Sequence, residues 1–228
     1  MKYYPININL KHRRCLIVGG GAVAFRKMNR LLECFATVTV ISPQFDPEFL
    51  DKPQPKGIEL IQRTIRNHDL DGFFMVFATT NDAQVNQCIS EWAQKKNILC
   101  NIADNPETSD FTLPSIIEQG DLNITISTNG KSPALSRHIR KQLVNTFGDE
   151  YALFLVIMGN LRDILSTQQL SQDERKKKYH TLIDMQLIHR IKEKDINHIS
   201  SILFDVTGYT LDEIVHQEVV DRIKYTAT

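Results

Sequence analysis

The sequence predicts an α/β fold built on a parallel sheet, followed by a smaller strand-and-helix stretch and a helical C-terminal part. Three observations predict it. Short apolar, β-branched runs alternate with helix-like segments through the first half. That alternation breaks near residue 110, where two short strand-like runs flank a Gly-Asp pair. From Asp149 onward the pattern is helix or loop only.

The strand expectations in the first half are 16–18, 38–41, 58–62, 73–78 and 98–101. Between them 23–35 reads as a helix, because Val23, Met28, Leu31, Leu32 and Phe35 recur at helical spacing. A second helix is expected over 82–95, with Asn81 or Asp82 as its cap. Strand–helix–strand repetition at this spacing favours right-handed parallel crossovers. Two antiparallel strands are expected over 112–117 and 123–127, joined at Gly120-Asp121. Pro133 suits the first turn of a helix running to about Val144. The segment 151–165 is apolar on most sides, which calls for burial within the chain or against a second copy. The polar run 168–178 reads as a solvated connection and helix start.

Bulk properties narrow the function. With 228 residues there is room for one sizeable core, or for a core domain and a smaller helical one. Lys plus Arg equals Asp plus Glu at 27 each, so no net charge draws the chain to nucleic acid or anionic lipid. The most apolar run, 151–161, is well short of the roughly 20 residues that span a bilayer. The stretch after Met1 has no apolar core of a secretory signal, and a cytoplasmic location is expected. The four cysteines, Cys15, Cys34, Cys88 and Cys100, lack paired metal-site spacing and are expected as buried, reduced thiols. The seven histidines form no H-x-x-x-H or HExxH pair, and no permanent metal site is expected.

The stretch "CLIVGGGAVAFRK", 15–27, carries the first chemical signal. Gly19-x-Gly21-x-x-Ala24 fits the dinucleotide-binding fingerprint, in a Rossmann-like arrangement of strand, turn and helix. Gly19 permits the tight turn, Gly21 lets a pyrophosphate approach the backbone, and Ala24 lets helix pack on strand. The helix start, with Ala22 and Val23, offers unpaired N–H groups to phosphate. The bland alternative is a tight structural turn. An acid is expected at the end of the second strand for the ribose hydroxyls, and Ser42 stands there instead. No arginine follows closely to meet a 2′-phosphate, so NAD is favoured over NADP. The adenosine end is placed at Ser42, Pro43 and Gln44. Thr79 and Thr80 fall at the carboxyl edge of the sheet, where such folds bind ligands, although 79–82 is equally a helix cap.

Four segments, "PININLKHRRCLIVGGGAVAFRK", "VFATTNDAQVNQCI", "CNIADNPETSDFTLPSII" and "ISTNGKSPALSRHIRKQL", occur in one order. Together they resemble the dehydrogenase–ferrochelatase module of sirohaem synthases, over about residues 3 to 147 and more loosely beyond. The resemblance implies oxidation of precorrin-2 to sirohydrochlorin with NAD. It leaves open insertion of ferrous iron, a substrate rather than a resident cofactor. It implies an NAD-binding Rossmann-like domain over 1–111, a dimerisation segment over 112–148 interlocked with a second copy, and a helical domain over 149–228. The methyltransferase domain fused in some members is not expected here.

The family's key acid matches Asp104, in a position to take a substrate proton after the fifth strand. Read without the family, "ADNP" is also an ordinary turn. Asn101, just upstream, is a candidate substrate contact or a plain strand-end residue. Thr128 and Asn129 precede a helix whose start, with Lys131 nearby, suits the carboxylates of a tetrapyrrole. The alternative there is a capped helix with a solvated basic face. A competing function is a regulatory NAD-sensing domain of the potassium-transport type. Such domains carry an acid where Ser42 stands, and they lack "DFTLPSII" and "STNGKSPALSR".

Overall fold

The computed structural model describes residues 3–50, 56–103 and 105–225. The chain divides into two compact units, Met1–Leu113 and Pro114–Thr228.

The first unit holds a five-stranded parallel sheet: β1 (Arg14–Val18), β2 (Thr37–Ser42), β3 (Ile58–Gln62), β4 (Met75–Ala78) and β5 (Leu99–Ile102). Their order is β3-β2-β1-β4-β5, so the chain reverses its direction of growth between β1 and β4. Helix α1 (Ala22–Glu33) joins β1 to β2, and α2 (Ala83–Lys95) joins β4 to β5. One apolar layer gathers Ala24, Met28 and Leu31 of α1 with Cys15, Ile17, Val38, Val40, Met75 and Phe77. The other gathers Ile89 and Ala93 of α2 with Leu16, Val18, Ile41, Val76 and Ala78. Successive strand residues point to opposite faces, so β1 supplies both layers and reads as one continuous apolar run. Leu16 and Ile17 are fully buried, and each such side chain contributes about 1.5–3 kcal/mol by leaving water.

β5 is an edge strand, and its free backbone groups are covered by the segment that follows it. Asp110 accepts from the Cys100 N–H at 2.8 Å and returns its own N–H to the Cys100 carbonyl at 2.9 Å. The Ser109 hydroxyl accepts from the Ile102 N–H at 2.9 Å. Asn101 donates its amide to the Phe111 carbonyl at 2.9 Å.

The second unit opens with the antiparallel pair β6 (Ser115–Gln119) and β7 (Leu122–Ile126). The sequence reading began the first of these at 112. The strand starts only after Pro114, whose missing N–H and restrictive effect on Leu113 keep it out of the ladder. Helices α3 (Pro133–Val144) and α4 (Asp149–Ser166) follow, then α5 (Gln172–Asp184), α6 (Leu187–Glu193), α7 (Ile196–Thr207), α8 (Leu211–Ile214) and α9 (Gln217–Tyr225). The apolar α4 is buried within this unit: Leu153, Phe154, Ile157, Leu161 and Leu165 share one cluster with residues of α5 to α9. Among the described residues no helix is long and apolar enough to cross a membrane.

The expectation of buried thiols holds for two of the four cysteines and fails for the other two. Only Cys15 and Cys100 are buried, while Cys34 and Cys88 are exposed. Cys34 is the residue that ends α1, and Cys88 lies on the outer face of α2, so neither follows its apolar neighbours inward.

Candidate functional site

The glycine run sits at the carboxyl end of β1, where sheet order reverses and an open α/β sheet leaves a crevice. Gly19 has φ of +125°, a conformation that L side chains rarely adopt. Its N–H extends the β1–β2 ladder to the Ile41 carbonyl at 3.0 Å, and the side-chain space above it is filled by Thr79. Gly20 is closed on its side by the Gln44 carbonyl. Gly21 differs. It has extended backbone, precedes α1, and its side-chain position meets nothing closer than the Asp46 carboxylate at 3.7 Å.

The first turn of α1 contains no acidic residue, and no side chain caps it. Its leading N–H groups, Ala22 and Val23 among them, have no intrahelical partners. Ala24, one position on, is fully buried against the sheet. An open backbone face, free amides and a small packing residue are what a pyrophosphate cradle requires. The residues therefore fit a dinucleotide.

The loop after β2 is tied to this turn. Ser42 is 5% exposed, and its hydroxyl donates to the Gln44 carbonyl at 2.5 Å. The Asp46 N–H donates to the Gly20 carbonyl at 2.8 Å. Pro43 and Gln44 are exposed on the same loop.

At the end of β4, Thr79 closes the β1–β4 edge: its N–H and its hydroxyl both donate to the Val18 carbonyl, at 2.8 and 2.9 Å. Thr80 is clamped by Asn86 of α2. Its hydroxyl reaches Asn86 Oδ1 at 2.7 Å, and Asn86 Nδ2 returns to the Thr80 carbonyl at 3.0 Å. Asp82 caps α2 by accepting from the Gln84 and Val85 N–H groups. A cleft of about 260 Å³ lies here, lined by Thr80, Asn81, Ala83, Asn86, Gln87, Ile102 and Asn105. Among the described residues its lining is amide, hydroxyl and aliphatic. Asp104, the expected proton acceptor, lies outside the described residues; its neighbour Ala103 hydrogen-bonds the Ala78 carbonyl at 3.0 Å.

Asn101 turns inward. It is 7% exposed, accepts from Lys27 Nζ at 3.2 Å through its carbonyl, and uses its amide on Phe111. Both polar ends are engaged, which makes it a brace in this arrangement rather than an open contact. Lys27 lies over the Phe77 ring at 4.7 Å, and burial, with Arg26 adding to it, lowers its pKa to about 8.

In the second unit, Thr128 and Asn129 form the turn into α3. The Thr128 hydroxyl accepts from the Ser132 N–H at 3.1 Å and bonds the Ser136 hydroxyl at 3.3 Å. Asn129 has φ of 52° and precedes Gly130, also at positive φ. Ser132 caps α3 by accepting from the Leu135 N–H at 3.2 Å. Arg137, His138 and Lys141 are exposed along α3, while Arg140 donates to the Ile116 carbonyl at 2.8 Å. Among the described residues no three His, Cys, Asp or Glu side chains come together as a metal site.

Sequence reasoning passed over Gly20, Lys27, Asn86 and Asp46. The unbroken triple glycine signalled the first. The other three depend on which strand or loop faces them, and no spacing rule reports that.

Comparison with known proteins is consistent with this geometry. Residues 6–115 match a family described as putative NAD(P)-binding, and residues 119–146 match the sirohaem biosynthesis protein central family. Siroheme synthase of Citrobacter koseri is 33% identical over 213 residues, covering 93% of this chain and 47% of the relative. That of Vesicomyosocius okutanii is 37% identical over 163 residues, covering 72% and 35%. The chain thus spans less than half the length of these relatives. Among solved structures, SirC, a precorrin-2 dehydrogenase, superposes with a TM-score of 0.76 at 24% identity, over 91% of this chain and 100% of that one, a likeness of fold.

Proposed function

The chain belongs to the sirohaem-synthase dehydrogenase–ferrochelatase module family, and from that premise we propose that it oxidises precorrin-2 to sirohydrochlorin with NAD, in sirohaem biosynthesis. The observation that carries this reading is the open face of Gly21 at the head of α1, in a sheet of order β3-β2-β1-β4-β5.

In this reading Gly21, Ala22 and Val23 hold the pyrophosphate through backbone N–H groups, and Gly19, its own N–H bonded to the Ile41 carbonyl, makes the tight turn that presents them. Ser42, Pro43 and Gln44 border the adenosine end. Thr79 and Thr80, fixed by Val18 and Asn86, line the nicotinamide side. NAD, when bound, supplies the hydride acceptor. Asp104 takes the proton that the substrate gives up. Thr128 and Asn129, with the basic face of α3, meet substrate carboxylates. Asn101 acts through Lys27 and Phe111 to hold the strand end from which Asp104 follows.

The proposal extends to a division of labour: cofactor binding over 1–111, pairing with a second copy over 112–148, and a helical closing part over 149–228, in a cytoplasmic homodimer. Ferrous iron enters as a second substrate for sirohaem formation by the same chain, which the relatives' printed name supports. The NAD-sensor alternative gains nothing from the relatives, which are siroheme synthases.

The test is anaerobic incubation with precorrin-2 and NAD, following NADH and the tetrapyrrole spectrum, then addition of ferrous iron. NAD-dependent sirohydrochlorin formation is expected, with iron incorporated faster than in a protein-free control. Asp104→Asn is expected to lower turnover by about 100-fold or more. Absence of both NADH and spectral binding would remove the reading.

A further inference from the structure

The acid that ordinarily ends the second strand of a dinucleotide-binding sheet is missing here, and the residue in its place is turned away. Ser42 is buried, and its hydroxyl proton is committed to the Gln44 carbonyl. The chain then folds back toward the glycine run, and two contacts fix the return. The Gln44 carbonyl fills the side-chain position of Gly20, and the Asp46 N–H is bonded to the Gly20 carbonyl at 2.8 Å. Asp46 is therefore held to the glycine turn by its own backbone.

Its carboxylate faces the cradle. Apart from Gly21 and its chain neighbours, Asp46 Oδ2 is the single heavy atom of the described residues within 4 Å of where a Gly21 side chain would stand. Asp46 precedes the short 3-10 turn Pro47–Phe49, where an aspartate commonly caps the following N–H groups, yet its side chain makes no such bond. It is exposed and has no hydrogen bond or ion pair from its carboxylate among the described residues. From Pro43 to Leu50 the only charged residues are Asp46 and Glu48, so nothing on this loop neutralises it.

We propose that Asp46, reaching back over Gly21 from four residues beyond the strand, is the residue that selects an unphosphorylated adenosine ribose over a 2′-phosphorylated one. A carboxylate accepts from the vicinal 2′- and 3′-hydroxyls of the ribose. A 2′-phosphate removes one of those donors and brings about −1.5 to −2 charge beside an existing anion. The discrimination is repulsive as much as attractive, and it needs no basic partner. The inference rests on the dinucleotide reading above and assigns to that site its ligand preference.

Direct binding of NAD, NADP, AMP and adenosine 2′,5′-bisphosphate tests it, by titration calorimetry on the full chain. The wild type is expected to bind NAD and AMP about tenfold or more tighter than their 2′-phosphorylated counterparts. Asp46→Asn is expected to bring each ratio within about threefold, and Asp46→Lys to reverse it. A wild type that binds neither NAD nor AMP would overturn the dinucleotide reading itself. A wild type that binds both pairs without preference, or variants that bind NAD and keep the wild-type preference, would overturn the role of Asp46 alone.

Discussion

The main-chain carbonyl of Gln44 occupies the place that a side chain on Gly20 would need, whereas one residue later the same position on Gly21 is open to 3.7 Å. Two adjacent glycines thus serve different ends. Gly20→Ala must push the 42–46 loop off the turn, and is expected to destabilise the first unit by about 2 kcal/mol or more. Gly21→Ala, with φ of −93°, is expected to fold with an unchanged melting temperature and to lose NAD affinity by about tenfold. Thermal melts and NAD titration of the two variants side by side check both statements.

Lys27 gives stability a pH dependence of known sign. Its pKa falls from 10.5 to about 8 on folding. Between those values the unfolded chain holds a proton that the folded chain has released, so this group makes stability rise with pH across that window. Cys15 and Cys100 act oppositely. Burial, joined by Cys34 for the first and Asp110 for the second, pushes their thiols from 9.0 to about 11, and stability falls as pH rises through that range. The lysine effect is therefore cleanest from pH 7 to 9. Lys27→Met is expected to remove a rise in unfolding free energy of about 1 kcal/mol over that span, measured by urea denaturation of variant and wild type.

Thiol labelling should divide the four cysteines in two. Cys34 and Cys88 are exposed and are expected to react with an aromatic disulfide reagent in the native protein. Cys15 and Cys100 are buried and are expected to react only on unfolding. Counting released thiolate before and after denaturant reads this directly.

Asp110 is predicted to matter through β5. Its carboxylate holds the Cys100 N–H at 2.8 Å on the sheet's free edge. Asp110→Ala is expected to cost about 1–3 kcal/mol and to raise hydrogen exchange at the Cys100 amide, with the α1 amides unaffected.

The sheet was legible in the sequence because each strand is a short apolar run bounded by a turn or a helix, and burial on both faces demands that pattern. Asp82 was legible as a cap because a side chain that bonds its own next turn is a local matter. Less local features were not. The start of β6 shifted by three residues because Pro114 forbids what the apolar pattern of 112–117 suggests. Asn101 reads as a strand-end polar residue in any sequence, and only the arrival of Lys27 from α1 and Phe111 from the returning loop makes it a buried brace. Asp46 carries no periodic signal at all. Its place beside Gly21 follows from the Asp46–Gly20 backbone bond, a contact between segments more than twenty residues apart.

The strand order also has a consequence for synthesis. β1 lies at the centre of the sheet, yet Leu16 pairs on one side with Thr39 and on the other with Val76, sixty residues later. A ribosome needs roughly 3–12 s to supply that second partner, at about 5–20 residues per second. Through that interval the nascent Leu16-Ile17-Val18 segment has an unfilled edge and an incomplete covering. The wait for β4, rather than any step in forming α1 or β2, is what sets the period in which the young chain is open to chaperones and to its own neighbours.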